Sequence, residues 1–408
     1  MPSIHMDYPD PSFSTANDLA CALAYLESPT HISQDLPNQL PEAGIGERQT
    51  LDLLAGYVLG GAAHLNAPTA LAHMNPPTPW ITWAMSLWNA SLNQNLLHDM
   101  TSPFATQAEA IVLDWLSPYF GMAGGHFCAG STLANLTGLW AARDAAGVST
   151  VVASEAAHLS IAKSCRLLGL DLIQIPTDQR GRLDPQYLPP LQNVCLVLTA
   201  GTTATGAIDP LDLAGQAKWT HVDAAWAGPL RLSPIYADRL KGIDQADSVS
   251  VSAHKLLFQP KDAALILFRQ LAVANAAISF DSGYLAKPNV GVQGSRSAAA
   301  IPLLATLLAW GRAGLASRLE FLMQVADTLA ASIEANDRLE LWQRPQTGIT
   351  LFRPLGMSIP TFITKTPPGM LSTCVLAGEV WARAVAANPC VDCDQVIAAI
   401  TTAVNGNT

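Results

Sequence analysis

The chain has 408 residues, half of them hydrophobic and 13% charged, with a net charge of −10. That length allows one large domain with a full core plus a smaller one, and the apolar balance excludes a disordered chain. The acidic balance, with no lysine- or arginine-rich block, argues against nucleic acid or an anionic membrane as a partner.

Residues 1–17 carry acids and prolines and no basic stretch, unlike a secretory signal. The longest apolar stretch, 298–310, contains Pro302 and is closed by Arg312. It falls short of the ~20 residues a bilayer span takes and reads as a buried helix. Seven cysteines in this length are no disulfide scaffold. Cys390 and Cys393 form a C-x-x-C with no further ligands nearby, so no metal site is expected. The default compartment is the cytoplasm.

Along the chain, Leu19, Leu23 and Leu26 recur at helical spacing in an N-terminal arm. Residues 65–79 are proline-rich and read as an extended loop. A helix is expected over 80–97, with Trp83, Leu87, Trp88 and Leu92 on one face, and another over 109–119. From 125 to 270, short apolar runs alternate with helical stretches. The expected strands are 151–153, 172–175, 194–198, 220–223, 248–251 and 264–268, with helices at 132–145 and 159–168. That alternation predicts an α/β fold with a mostly parallel central sheet flanked by helices. Such sheets bind ligands at the carboxyl ends of their strands. Residues 298–335 read as helical and lead into a small C-terminal domain.

Three motifs carry chemistry. Gly130-Ser131-Thr132 opens a helix, where free backbone N–H groups, the helix dipole and two hydroxyls suit a phosphate; the same residues also read as an ordinary N-cap. In Thr220-His221-Val222-Asp223-Ala224-Ala225-Trp226, a carboxylate ends an apolar strand, and small Ala225 would admit a flat ring; a turn-capping aspartate is the plain alternative. The third runs from Ser248 through Ser252 to His254-Lys255, then into Leu-Leu-Phe. A lysine placed there is partly buried, and burial lowers its pKa and readies it for a Schiff base, although a lone lysine more often lies in solvent. Lys255 lies 32 residues beyond Asp223, room for one helix and a return strand to the same sheet end.

Together these motifs resemble the group II pyridoxal-phosphate-dependent amino-acid decarboxylases. The resemblance extends through Leu92-Asn93-Gln94-Asn95, Ser102-Pro103, Glu109, the run Ala129 to Asn135, Ala142-Arg143, Ala157-His158, Gly201-Thr202-Thr203, Gly206 to Pro210 and Asn388-Pro389. It implies a fold-type-I architecture: an N-terminal helical arm over 1–65, a large cofactor-binding α/β domain over 66–315 and a small C-terminal α+β domain over 316–408. It implies pyridoxal 5′-phosphate as cofactor. Lys255 would carry it, Asp223 would pair with its ring nitrogen, and His158 would stack on the ring face opposite Ala225. Gly130, Ser131, Thr132 and Ser252 would hold the phosphate, with Thr203 at the ring edge and His254 near the phosphate. His158 taken alone reads as a core or surface histidine.

The resemblance also implies that Tyr284 helps return a proton during catalysis and that Arg296 holds a substrate carboxylate, with Thr78 and Asn95 in the substrate site. A buried loop tyrosine and a structural salt bridge are the alternatives for the first two. Leu133 stands where the family usually has glutamate or serine, and the stretch from Tyr284 to Arg296 is short for a long lid. Residues 72–95 resemble members acting on acidic amino acids, and 254–260 resemble members acting on 2,4-diaminobutyrate, so a small polar substrate is favoured. An aromatic substrate, another reaction of the same cofactor, or a non-catalytic homologue are the remaining readings. The family implies a homodimer with active sites between subunits.

Overall fold

The computed structural model describes residues 19–27 and 35–406, so the reading of 1–17 lies outside the described residues. The chain divides into two units, 1–64 and 65–408. In the first, α1 (Leu19–Tyr25) and α2 (Glu47–Val58) are joined by Tyr25 and Arg48, which both donate to Asp52.

In the second unit, α3 (Trp80–Leu92) and α4 (Pro103–Leu116) precede the sheet. The helix expected over 80–97 stops at Leu92, because Asn93 adopts a left-handed φ of 41° that asparagine tolerates. The helix expected from Glu109 starts earlier, at Pro103, where a proline costs no hydrogen bond.

The sheet and its helices follow in order: β1 (Gly124–Cys128), α5 (Ser131–Ala146), β2 (Thr150–Ser154), α6 (Leu159–Leu168), β3 (Asp171–Ile175), β4 (Val194–Thr199), β5 (Trp219–Asp223), β6 (Ser248–Ser252) and β7 (Ala264–Phe268). The seven strands lie in the order β1-β7-β6-β5-β4-β2-β3, parallel except for β7, which runs antiparallel to both its neighbours. All six expected strands form. β1 was not expected, since its sequence Gly-Gly-His-Phe-Cys lacks β-branched residues. Gly125 is required there, because a Cβ would lie 1.8 Å from the Ile266 carbonyl oxygen.

Strand side chains alternate between two apolar clusters. Val152, Leu196, Leu198, Val222, Val249, Val251, Leu265 and Leu267 pack in the cluster that includes residues of α4 and of the later helix Ala300–Glu334. Val151, Ala153, Cys195, Val197, Ala264, Ile266 and Phe268 pack in the cluster of α5 and α6. The sheet is therefore covered on both faces, as parallel sheets are, and ligands are left its edge of strand ends.

After α7 (Leu271–Ile278), short strands β8 (Ser279–Phe280) and β9 (Asn289–Val290) pair. Helix α8 (Ala300–Glu334) is longer than the apolar run 298–310 suggested: it continues through Arg312, with non-helical φ/ψ at Gly311. By length and composition it is the one helix among the described residues that could cross a membrane. Its Leu303, Leu304, Leu315, Leu319, Leu322 and Leu329 are buried in the protein's own core. β10 (Leu339–Leu341), β11 (Ile349–Pro354), α9 (Ile359–Thr364), β12 (Ser372–Leu376), β13 (Glu379–Val385) and α10 (Cys393–Asn405) follow, the strands forming a sheet in the order β10-β11-β13-β12.

Candidate active site

The carboxyl ends of β1, β5 and β6 bring the motifs together. Cys128 and Ser252, the last residues of β1 and β6, both pair with Ala264 at the start of β7. The helix start at Ser131 therefore sits beside the end of β6. Asp223 ends β5, pairs in register with Ser250, and is 4% exposed. Its Oδ1 accepts the Ala225 N–H at 3.1 Å, and its Oδ2 accepts from Asn135 Nδ2 at 2.9 Å.

Lys255 follows β6 in a turn held by the His254 N–H donating to the Ala263 carbonyl. Burial pushes the Lys255 amine below the usual lysine range; the Asp223 carboxylate opposes that shift, and the Lys261 and Arg383 charges add to it. The amine and the carboxylate, distant in sequence, thus lie within electrostatic reach. His158 joins them. It caps α6, its Nδ1 accepting the Ser160 N–H at 3.2 Å. Burial lowers its pKa, with Asp223 raising it and Lys255 and Lys163 lowering it. His254 falls to about 4 through burial and the neighbouring Lys261 and Lys255 charges.

The residues fit a phosphate-bearing cofactor. Gly130 adopts φ 90° and ψ 160° immediately before α5, a conformation that favours glycine. Ser131 Oγ and Ser252 Oγ are both buried without a hydrogen-bond partner among the described residues. A buried hydroxyl without a partner costs about 1–3 kcal/mol. Two of them at the amino end of a 16-residue helix mark a place for an acceptor-rich anion. Thr132 is exposed in the first turn of α5, and Ala225 is buried beside Asp223. Thr203 is exposed on the loop after β4, which Gly201 lets pack on Trp226, since a Cβ there would meet Trp226 Cδ1 at 2.7 Å.

The remaining expected residues sit differently. Arg296 donates from both terminal nitrogens to the Glu109 carboxylate, the salt-bridge arrangement. Asn95 Oδ1 accepts the N–H groups of Leu97 and Arg296, and its Nδ2 donates to Ser295 Oγ at 3.1 Å, so Asn95 ties that loop down. Thr78 Oγ1 accepts from Trp83 Nε1 at 2.9 Å. Tyr284 is 70% exposed, with its ring 6.2 Å from that of His98; it is not a buried loop tyrosine.

Two features were not picked out from sequence. Asn135, Ser160, Ser250 and His221 form a buried polar network around Asp223. The sequence offered Asn135 only as the last residue of the run Ala129 to Asn135, with no sign of these partners. Arg383 is 7% exposed on β13, and its Nη1 reaches only the Ala72 carbonyl and Ser372 Oγ, both at 3.3 Å. It has no carboxylate partner among the described residues, and its Nε is buried without one of any kind. An arginine inside the run Val380-Trp381-Ala382-Arg383-Ala384-Val385 was the available signal.

A family model described as the pyridoxal-dependent decarboxylase conserved domain matches residues 29–354. The chain is 33% identical to an L-2,4-diaminobutyrate decarboxylase of Rhizobium meliloti over 86% of its length and 80% of that protein's. It is 29% identical to an aspartate 1-decarboxylase of Aliivibrio fischeri, covering 79% of this chain and 71% of that one. Its fold matches the Oryza sativa TDC structure with pyridoxal phosphate and tryptamine, at a TM-score of 0.86 and 22% identity over 96% of this chain and 98% of that one. The protein belongs to the pyridoxal-dependent decarboxylases, enzymes that release CO2 from amino acids with pyridoxal phosphate as cofactor.

Proposed function

We propose that this enzyme decarboxylates a small acidic L-amino acid. The observation that carries the substrate class is Arg383: a buried cation without a carboxylate partner among the described residues, acting on the Lys255 amine. Lys261 is a second cation acting on Lys255, and Asp223 is the one anion acting on it. With Asp223 committed to the cofactor, a substrate carboxylate finds a guanidinium and an ammonium, whereas a second substrate ammonium finds repulsion. The 33% identity to a diaminobutyrate decarboxylase favours a diamino substrate as the second reading.

In this reading, Lys255 would hold the cofactor, and burial, which pushes its pKa down, favours the neutral amine that such a bond requires. Asp223 would hold a proton on the ring nitrogen, and His158 and Ala225 would flank the ring. Gly130, Ser131, Thr132 and Ser252 would hold the phosphate, with His254 and Thr203 as further contacts of the cofactor. Pyridoxal phosphate supplies, when bound, a sink for the electron pair left as CO2 departs. The chain's task is to orient the substrate so that the bond to its α-carboxylate breaks and not the Cα–H bond. Asn95 and Arg296 serve that site by fixing the loop that closes on it, Thr78 by holding Trp83.

A homodimer completes the reading. Trp80, Trp83, Leu87, Trp88 and Leu92 of α3 are 45–70% exposed, an apolar face a monomer rarely leaves in water. Exposed Tyr284 would serve the partner's site, returning a proton to the substrate carbon. We take the chain as an arm over 1–65, a cofactor domain over 66–315 and a small domain over 316–408. The seven free cysteines suit the cytoplasm. The test is CO2 released from a panel of aspartate, glutamate, 2,4-diaminobutyrate and tryptophan. Turnover led by the acidic pair is expected; turnover led by 2,4-diaminobutyrate gives the second reading. Aldehyde or keto acid without CO2 would overturn decarboxylation itself.

A further inference from the structure

Asn135 is fully buried on α5, and its carboxamide uses every donor and acceptor it has. Nδ2 donates to Asp223 Oδ2 at 2.9 Å and to Ser160 Oγ at 2.8 Å. Oδ1 accepts from Ser250 Oγ at 2.5 Å and from His221 Nε2 at 3.0 Å. A carboxylate offers only acceptors, so the nitrogen end must face Asp223, which fixes the orientation of the amide.

The other protons follow from that orientation. Ser160 Oγ receives a hydrogen from Asn135, which leaves its own hydrogen for His158 Nδ1 at 2.8 Å. His158 Nδ1 also accepts the Ser160 backbone N–H at 3.2 Å. A ring nitrogen facing two donors carries no proton, so the imidazole proton resides on Nε2. On the other side, Trp219 Nε1 donates to Ser248 Oγ at 2.9 Å, and Ser248 Oγ donates to His221 Nδ1 at 2.8 Å. His221 therefore carries its proton on Nε2, where Asn135 Oδ1 accepts it. Every link in the chain of donors agrees in direction.

We propose that Asn135, acting through Ser160, is the positioning residue that fixes His158 as the neutral Nε2–H tautomer and locks it to Asp223. One amide thus holds both the carboxylate and the imidazole, and changes at either are felt by the other. The inference rests on the reading that His158 and Asp223 face the cofactor. The charges acting on His158 are Asp223, Lys255 and Lys163, and its tautomer is set among them by the two donors on Nδ1.

The test is imidazole nitrogen NMR of the holoenzyme labelled with 15N-histidine, with the His158 signal assigned by its loss in His158→Gln. The expected wild-type spectrum shows Nδ1 unprotonated and Nε2 protonated. In Ser160→Ala, one donor on Nδ1 is gone, so the titration midpoint of His158 should rise by about one unit. The acidic limb of the kcat/KM profile should move with it, while the visible absorbance of lysine-bound cofactor is kept. Ser160→Thr, which retains a hydroxyl, should restore both, and Asn135→Ala should reproduce Ser160→Ala. A wild-type His158 protonated on Nδ1 overturns the proposal. So do folded Ser160→Ala and Asn135→Ala variants with the parent tautomer and pH profile. If Asn135→Ala does not fold, the wild-type and Ser160→Ala spectra decide. Absence of the visible band from wild type would instead defeat the cofactor assignment to Lys255, and the tautomer measurement would stand apart from it.

Discussion

Arg296 clasps the Glu109 carboxylate with both terminal guanidinium nitrogens, joining α4 to the segment before α8 across 187 positions of sequence. Glu109 is 7% exposed, so the pair is shielded on its acidic side. Removing one partner strands a charge away from water, which costs more than the pair contributes. Glu109→Gln is expected to lower stability by about 2–3 kcal/mol, a value set between exposed and fully buried pairs. Glu109→Gln with Arg296→Gln should cost less than the two changes summed. Urea unfolding of the four proteins in the cycle measures the coupling, and additive losses would show that the two side chains act independently.

Lys255→Ala should abolish CO2 release and the visible absorbance of lysine-bound cofactor. Asp223→Ala should keep part of the cofactor binding, because the residues proposed to hold the phosphate are unchanged, and lose most of the turnover. Activity assays with absorbance spectra on both variants are decisive, and full turnover in either would contradict the roles given to these two residues.

The phosphate cradle makes a graded prediction. Ser131 Oγ and Ser252 Oγ have no partner among the described residues, so each is free to donate to the phosphate. A hydrogen bond to a charged group contributes about 1.5–3 kcal/mol. Ser131→Ala and Ser252→Ala are each expected to weaken cofactor binding by roughly 10-fold or more, while the cofactor-free protein loses no stability and gains some, since each change removes a buried hydroxyl without a partner among the described residues. Titration of that protein with pyridoxal phosphate gives the affinities. Unchanged affinity in both variants would remove these hydroxyls from the phosphate site.

The sheet was readable because its strands are short apolar or small-residue runs between glycines and helices, as in Val194–Thr199 and Ala264–Phe268. β1 was not, because Gly125 is there for close approach to the Ile266 backbone and Gly124 lies against the Leu271 side chain, and neither carries a strand signal of its own. Asp223, His158 and Lys255 stood out by motif, and the fold brings them into electrostatic reach. Arg383 did not, and Asn135 stood only at the end of a motif run with no role of its own, since the meaning of a single polar residue in an apolar element depends on partners far away in sequence. The face of α3 was legible as apolar, yet periodicity alone could not say that it stays exposed among the described residues.

That uncovered face predicts the assembly. Trp83 and Trp88 are 51% and 59% exposed, and large aromatic side chains of this kind anchor interfaces. Trp83→Asp together with Trp88→Asp should convert the proposed dimer to monomer at micromolar concentration and sharply reduce activity, with the fold retained by circular dichroism. Sedimentation of both proteins checks this, and an unchanged association state would place the interface elsewhere.

Stability should fall on acidification for a reason visible in the core. Burial lowers His126 to about 3, and His221 and His254 to about 4. An unfolded histidine titrates near 6.5, so between pH 4 and 6.5 the unfolded chain gains three protons that the folded chain refuses. Asp209 acts in the opposite sense: burial raises it to about 6, so the fold keeps a proton there that the unfolded chain loses above about 4. Its contribution is present at low pH and fades as pH rises through 6. The histidines outnumber it, so stability is expected to rise from pH 4 to 6.5 and then level off. His126 is the clearest probe, since its Nδ1 is buried without a partner among the described residues. His126→Gln should reduce the slope of unfolding free energy against pH in this window by about 1.4 kcal/mol per unit, one proton's worth. Urea midpoints at half-unit steps give the slope, and an identical slope in wild type and variant would mean that His126 is protonated in the folded protein.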